Sequence, residues 1–179
     1  ERIKSLSDKF NSPVVLTPMA KGIFSDSETL YAGVLAHALS HKVYETSREA
    51  DLIIGIGYDP VEINYETWVQ DQDVIHISTE PSDQEFKASH HVTDVIGNPE
   101  EILTQLLNSD LPFSEWDKNL IESRKKNLFR CLTSENRGFG PVEILTLLQE
   151  KIPDDARVTC DVGAHMHLAG QLWKTGKKK

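Results

Sequence analysis

The sequence predicts an α/β protein built on a parallel sheet, and three observations carry that expectation. Several short segments are rich in Val and Ile and apolar on both faces, as strands covered by helices on each side should be. Amphipathic helical stretches alternate with them, which implies right-handed crossovers between parallel strands. One such segment ends in Gly55-Ile56-Gly57, a glycine turn at the carboxyl end of a strand, where open α/β sheets usually bind ligands.

In chain order, Glu1 to Phe10 sets Ile3, Leu6 and Phe10 at helical spacing, with charges between them. Asn11-Ser12-Pro13 stops that helix, and Val14 to Thr17 reads as a short buried strand closed by Pro18. Leu30 to Leu39 and Val43 to Glu49 read as helices, and Asp51 to Ile56, Val74 to Ser78 and Val92 to Ile96 as further strands. Asn98 suits a helix cap, Pro99 the first helical position, and Glu101 the return bond of a capping box. Ile102, Leu103, Leu106 and Leu107 then share one face, Asn108-Ser109-Asp110 ends the helix, and Leu111-Pro112 marks a boundary.

Ser114 to Leu132 reads as a longer amphipathic helix whose core stripe is Trp116, Leu120, Ile121, Leu128 and Phe129, with Arg124-Lys125-Lys126 as a solvated face. Thr133 to Gly140 is polar and glycine-containing, the best linker in the chain. Pro141 opens another helix with Val142, Ile144, Leu145 and Leu148 on its buried side. Pro153-Asp154-Asp155 makes a turn, Arg157 to Cys160 a strand, and Asp161-Val162-Gly163 a strand-to-helix turn. That last βα unit is too small to bury a core of its own.

Composition narrows the function. A net charge of −9 argues against a nucleic-acid or anionic-membrane partner, and no basic stripe offsets it except Lys177-Lys178-Lys179, a solvated tail. No apolar run approaches the roughly 20 residues of a membrane helix, so the expectation is a cytoplasmic protein without a membrane partner. Cys131 and Cys160 fall in different elements without metal-type spacing and read as reduced thiols. His165-Met166-His167 and His90-His91 each lack a third ligand nearby in sequence, so no metal site is expected.

The glycine turn departs from a dinucleotide fingerprint. Its third glycine would fall at position 60, where Pro60 adds a ring and removes an N–H that could meet a phosphate. Asp161-Val162-Gly163-Ala164-His165 is the stretch that suits a diphosphate: backbone N–H groups at a glycine turn entering a helix, with a histidine beside them.

The ordered series "SPVVLTPMAKGIFSDSETLYAGVLAH", "ADLIIGIGYDPVEINYETW", "DVIHISTEP", "VTDVIGNPEEIL" and "PVEILTLLQEKIPDDARVTCDVGAHMHLAGQLWKT" resembles the thiamine-diphosphate-dependent enzymes. Within that family it is most similar to acetolactate synthases, in particular the catabolic, FAD-independent branch. The resemblance covers nearly the whole chain and is weakest over residues 113–138. It implies a Rossmann-like central domain over residues 1–110 that lacks its usual first strand. It further implies a helical linker over 111–140 and the truncated beginning of a thiamine-diphosphate-binding domain over 141–179.

By that resemblance, Gly163, Ala164 and His165 contact thiamine diphosphate, although the family pattern has glutamine where Ala164 stands. Gly33, His37, Gly57 and Tyr58 are candidates for the FAD-type site that some members carry. Ser78 and Tyr58-Asp59-Pro60 stand where the FAD-binding branch has an acidic residue and a charged cluster, which weakens the flavin reading. The parent reaction joins two pyruvates into 2-acetolactate and CO₂ with Mg²⁺, in a homodimer or homotetramer. The family's Gly-Asp-Gly metal motif does not occur in these residues, and neither does a pyrimidine-binding domain with its catalytic glutamate. The chain alone is therefore expected to be inactive. The alternatives are another thiamine-diphosphate 2-oxo-acid decarboxylase, a stand-alone FAD- or nucleotide-binding module, or a relic that mediates assembly.

Overall fold

The computed structural model describes residues 1–59, 61, 68–133, 138–153 and 155–175. Along the chain run α1 (Arg2–Phe10), β1 (Val14–Leu16), β2 (Tyr31–Val34), α2 (Ser40–Arg48), β3 (Leu52–Ile56), β4 (Asp73–Ser78) and α3 (Gln84–Ser89). They are followed by β5 (Val92–Ile96), α4 (Pro99–Asn108), α5 (Lys118–Thr133), α6 (Pro141–Lys151) and α7 (Ala164–Leu172). The chain divides into one unit of Glu1–Pro13 and Tyr44–Trp116 and a second of Val14–Val43 and Asp117–Lys179, with α2 crossing the division. Every strand pair among the described residues is parallel, as the α/β reading requires.

In the first unit the sheet order is β3-β4-β5, with Ile54 opposite Ile75 and Ile56 opposite Ile77, then His76 opposite Asp94 and Ile77 opposite Val95. Side chains alternate across a strand, so Ile75 and Ile77 point to one face and Val74 and His76 to the other. The first face carries α1 and α4: Leu6, Ile77 and Leu103 are buried together, flanked by Phe10, Ile56, Val95, Leu106 and Leu107. Full burial of each such side chain stabilises by roughly 2 kcal/mol. Both helices are capped where their sequences say they should be. Asn11 takes the left-handed conformation (φ 52°) and returns its N–H to the Ser7 carbonyl, while Asn98 accepts from the Glu100 N–H at 3.0 Å. The opposite face holds Tyr58, Trp68 and Phe86, the last brought in by α3, whose Asp83 accepts from the Glu85 and Phe86 N–H groups.

In the second unit β1 and β2 pair with an irregularity between Val14 and Val15. Ile121 and Leu128 of α5 are buried, and α5 lies against β2. α7 also meets β2, where the Gln171 side-chain amide donates to the Val34 carbonyl at 2.8 Å and accepts from its N–H at 3.2 Å. α6 is held to the end of α7 by Gln149, which bonds the Lys174 carbonyl and N–H. Glu143 accepts from the Gly140 N–H at 2.8 Å, and glycine has no side chain to return the bond, so half of a capping box forms.

Several sequence expectations are corrected. Leu30 to Leu39 is not a helix: Tyr31–Val34 is a strand buried on both faces, and Ala36 (φ 54°) and Leu39 (φ 56°) then turn the chain. An all-apolar run of that length satisfies either pattern, and pairing with β1 decides it. The β1–β2 connection contains turns and no helix. Arg157–Cys160 is exposed and is not a strand, since no ladder partner meets it among the described residues. α5 begins at Lys118, after Trp116, with Asp117 accepting from the Asn119 N–H at its start. Leu120 of the expected stripe is exposed, whereas Lys125 of the expected solvated face is buried against the Glu28 and Asp26 carbonyls and Glu122. Parts of the Thr133–Gly140 linker and the Pro153–Asp155 turn, together with Pro60 and Lys177–Lys179, lie outside the described residues.

Candidate functional site

The glycine turn after β3 has the geometry a tight reversal needs. Gly57 sits at φ 60°, its N–H reaches the Ile77 carbonyl at 2.8 Å, and an added Cβ there would meet nothing within 4 Å. Tyr58, expected to face a ligand, turns inward instead and is 9% exposed. Its hydroxyl accepts from Trp68 Nε1 at 3.1 Å, and its ring meets Trp68 and Phe86 edge-on. Gly57 and Tyr58 belong to the first unit, Gly33 and His37 to the second.

Gly33 lies inside β2 with φ 112°, where a Cβ would stand 2.7 Å from Val43 Cγ2. His37 follows β2, is 8% exposed, and places Nδ1 3.3 Å from Nδ1 of His167 on α7. Burial, helped by His167 and Lys21, lowers its pKa to about 4, so the ring is neutral at physiological pH. Burial likewise lowers Lys21 to about 8, against the attraction of Asp26, and raises Asp26 and Tyr31. Among the described residues, Lys21 Nζ and Tyr31 Oη are buried without a hydrogen-bond partner.

Asp161, Val162 and Gly163 lead into α7, with Gly163 at the cap position and no side chain capping the helix. Asp161 accepts from the Val162 N–H at 2.7 Å, and Met166 N–H closes on the Gly163 carbonyl. The first N–H groups of a helix have no partner within it, so those of Ala164 and His165 are available to an anion, aided by the helix dipole. Ala164 and His165 are exposed, and a Cβ on Gly163 would fall 2.8 Å from the His165 ring. Gly163, Ala164 and His165 thus lie together on one accessible turn at the start of α7. Ala164 supplies backbone only.

One polar cluster escaped sequence reading. On the face of β4 and β5 that carries Tyr58, His76 Nδ1 meets Asp94 Oδ1 at 3.0 Å and its Nε2 meets the Tyr58 carbonyl at 3.0 Å. Both partners are acceptors, so the two bonds are satisfied together when the ring carries both protons. Asp94 also accepts from the Ser82 N–H at 3.0 Å, and Lys87 Nζ forms an ion pair with its Oδ2. Burial raises the Asp94 pKa, but Lys87, Ser82 and His76 outweigh it and hold the carboxyl well below the usual range. The available signal was a polar residue at an inward position of each apolar strand, "DVIHIS" and "VTDVI". Among the described residues no group of three or more His, Cys, Asp or Glu is placed to hold a metal, and no helix is long and apolar enough to cross a membrane.

Comparison with known proteins fixes the family. The acetolactate synthase large subunit of Porphyra purpurea is 28% identical over 188 residues, covering 98% of this chain and 31% of that protein. The acetolactate synthase of Arthrospira platensis is 25% identical over 99% of the chain and 32% of its own length. That of Bacillus subtilis (strain 168) is 25% identical over 91% and 30%. The chain spans about a third of the length of these relatives. The sequence model for the central domain of thiamine pyrophosphate enzymes matches residues 1–106, more than half of the chain. A parallel α/β sheet flanked by helices over those same residues agrees with the match, and the chain belongs to the thiamine pyrophosphate enzyme family.

Proposed function

We propose that these residues are one segment of an acetolactate-synthase-like carboligase of the FAD-independent kind, which joins two pyruvates into 2-acetolactate with release of CO₂. The observation that carries this reading is the reach of the similarity. It does not stop with the central domain at residue 106 but runs through 91–99% of the chain in acetolactate synthases, and in those of Porphyra purpurea and Arthrospira platensis, at 98% and 99%, it reaches across the Asp161–His165 turn. In this reading residues 1–110 form the central domain, 111–140 the linker, and 141–179 the opening of the thiamine-diphosphate-binding domain. The whole enzyme acts as a cytoplasmic homodimer or homotetramer.

Thiamine diphosphate supplies the nucleophile and electron sink of this chemistry when bound. The role of this chain is to hold the diphosphate end: Gly163 admits the close approach, the Ala164 and His165 N–H groups donate, and the His165 ring adds a third donor. Mg²⁺ binding and proton removal fall to residues outside these 179. The full gene product should therefore form acetolactate from pyruvate with thiamine diphosphate and Mg²⁺, and the 179-residue chain should not. Turnover by the short chain, or a full product without a Gly-Asp-Gly stretch, overturns the reading.

Ala164 offers a sharper check. Ala164→Gln in the full product restores the family's side-chain donor and should lower the thiamine diphosphate needed for half-maximal activity by about 3–10-fold, the worth of one hydrogen bond. His165→Ala should raise it by a similar factor. No change in either variant removes this turn from the cofactor site. A yellow protein, or a saturable melting shift with FAD, favours the flavin alternative instead.

A further inference from the structure

A lysine ordinarily buries its stem and keeps its ammonium in water. Lys21 does the reverse. Its neighbours Met19 and Ile23 are 83% and 57% exposed, so the segment runs along the surface of the second unit, yet Nζ is shut away from solvent without a hydrogen-bond partner among the described residues. Tyr31 on β2 is 1% exposed, and its hydroxyl is equally unmet. The Asp26 carboxylate acts on both groups, and Lys21 acts in turn on His37. We propose that Lys21 is a nucleophilic amine that condenses with a small neutral aldehyde to form an imine, with Tyr31 donating a hydrogen bond to the carbonyl oxygen and Asp26 carrying the proton. The proposal is independent of the reaction assigned to the whole enzyme.

The chemistry of these side chains suits that step. Desolvation, against the attraction of Asp26, lowers the Lys21 ammonium to about 8. At pH 7.5 about a quarter of it is then free amine, against about one part in a thousand for an ordinary lysine. Burial raises the Asp26 carboxyl despite the Thr175 N–H it accepts and the attraction of Lys21, Lys174 and Lys125, which suits it to take and return a proton. His37 is kept neutral by burial and adds no charge of its own. In the reaction the Nζ lone pair forms a bond to the carbonyl carbon, and the C=O π pair moves to oxygen. The nitrogen gives up its two protons, one of them through Asp26, the oxygen leaves with both as water, and the C=N bond forms. Nothing is oxidised or reduced. A neutral aldehyde is favoured over a 2-oxo acid, whose carboxylate would be buried beside that of Asp26.

The test is incubation of the 179-residue chain with glycolaldehyde and cyanoborohydride, which reduces any imine to a stable secondary amine, followed by peptide mass mapping of each lysine. At about pH 7.5 Lys21 should be modified at least about tenfold faster than the exposed Lys118 and Lys126, because far more of it is free amine. Its rate should level off with a midpoint near about pH 8, while those of Lys118 and Lys126 still climb. Tyr31→Phe should slow it by about 3–10-fold, the worth of one hydrogen bond. Asp26→Asn keeps an oxygen for the Thr175 N–H but removes the charge that holds the ammonium up, so the plateau rate should fall and the midpoint move to lower pH. Simple loss of the fold would move the midpoint the other way, toward about 10.4. Lys21 no faster than Lys118, a rate that climbs with theirs, or an undiminished rate in either variant overturns the proposal.

Discussion

Asp94→Ala should destabilise the first unit by about 2–4 kcal/mol at neutral pH. Three groups converge on this carboxylate: His76 Nδ1, the Ser82 N–H and Lys87 Nζ. Removing it leaves the His76 ring and the Ser82 N–H without their acceptor inside the sheet face, where each unmade bond costs about 1–3 kcal/mol. Lys87 is about one-third exposed and recovers hydration, so its share is small. Urea unfolding read by tryptophan fluorescence measures the loss, and hydrogen exchange of the β4 and β5 amides localises it. A loss below about 0.5 kcal/mol, the spread of ordinary surface substitutions, would show the cluster to be solvated.

The same carboxylate sets an acid limit. Its folded pKa lies below the unfolded value of about 3.9, because Lys87, Ser82 and His76 outweigh burial. A group depressed in this way contributes its stability above the unfolded pKa and loses it as pH falls toward the folded one. The gap between the parent chain and Asp94→Ala should therefore be full at neutral pH and narrow progressively below about pH 4. A gap that widened on acidification would contradict the pairing.

Much of the first unit was legible in the sequence because its signals are local. The Asn98-Pro99 start of α4, the glycine turn after β3 and the apolar strands each follow from a few neighbouring residues. The second unit was harder for a physical reason. Tyr31–Val34 is apolar on both faces, and only its pairing with β1 makes it a strand. Lys125 reads as solvent-facing until Glu28 and Asp26 present carbonyls to its ammonium from nearly 100 positions away. Of the candidate site, the Gly163 turn into a helix was readable from its glycine and the residues that follow. Tyr58 was not readable as core, because Trp68 and Phe86, which enclose its ring, lie 10 and more positions along. His37 with His167, and His76 with Asp94, are products of tertiary packing.

Gly33→Ala tests the packing of the second unit and should cost about 2–6 kcal/mol, the sum of two effects. At φ 112° an L side chain is strained, at about 1–3 kcal/mol. The new methyl also lands 2.7 Å from Val43 Cγ2 and 3.4 Å from Leu128 Cδ2, both buried, and overpacking of that kind costs about 1–3 kcal/mol. Gly57→Ala separates the two: it shares a positive φ but meets nothing within 4 Å, so it should cost only about 1 kcal/mol. The overlap has its own signature. Val43→Ala alone opens a cavity and destabilises, yet combined with Gly33→Ala it removes the collision. The double variant should therefore be more stable than the sum of the single losses by about 1–2 kcal/mol, as contacting residues are when they relieve one strain. Strict additivity in thermal or urea unfolding would mean that β2 shifts to accept the methyl, and that the contact of β2 with Val43 is looser than its interatomic distances indicate.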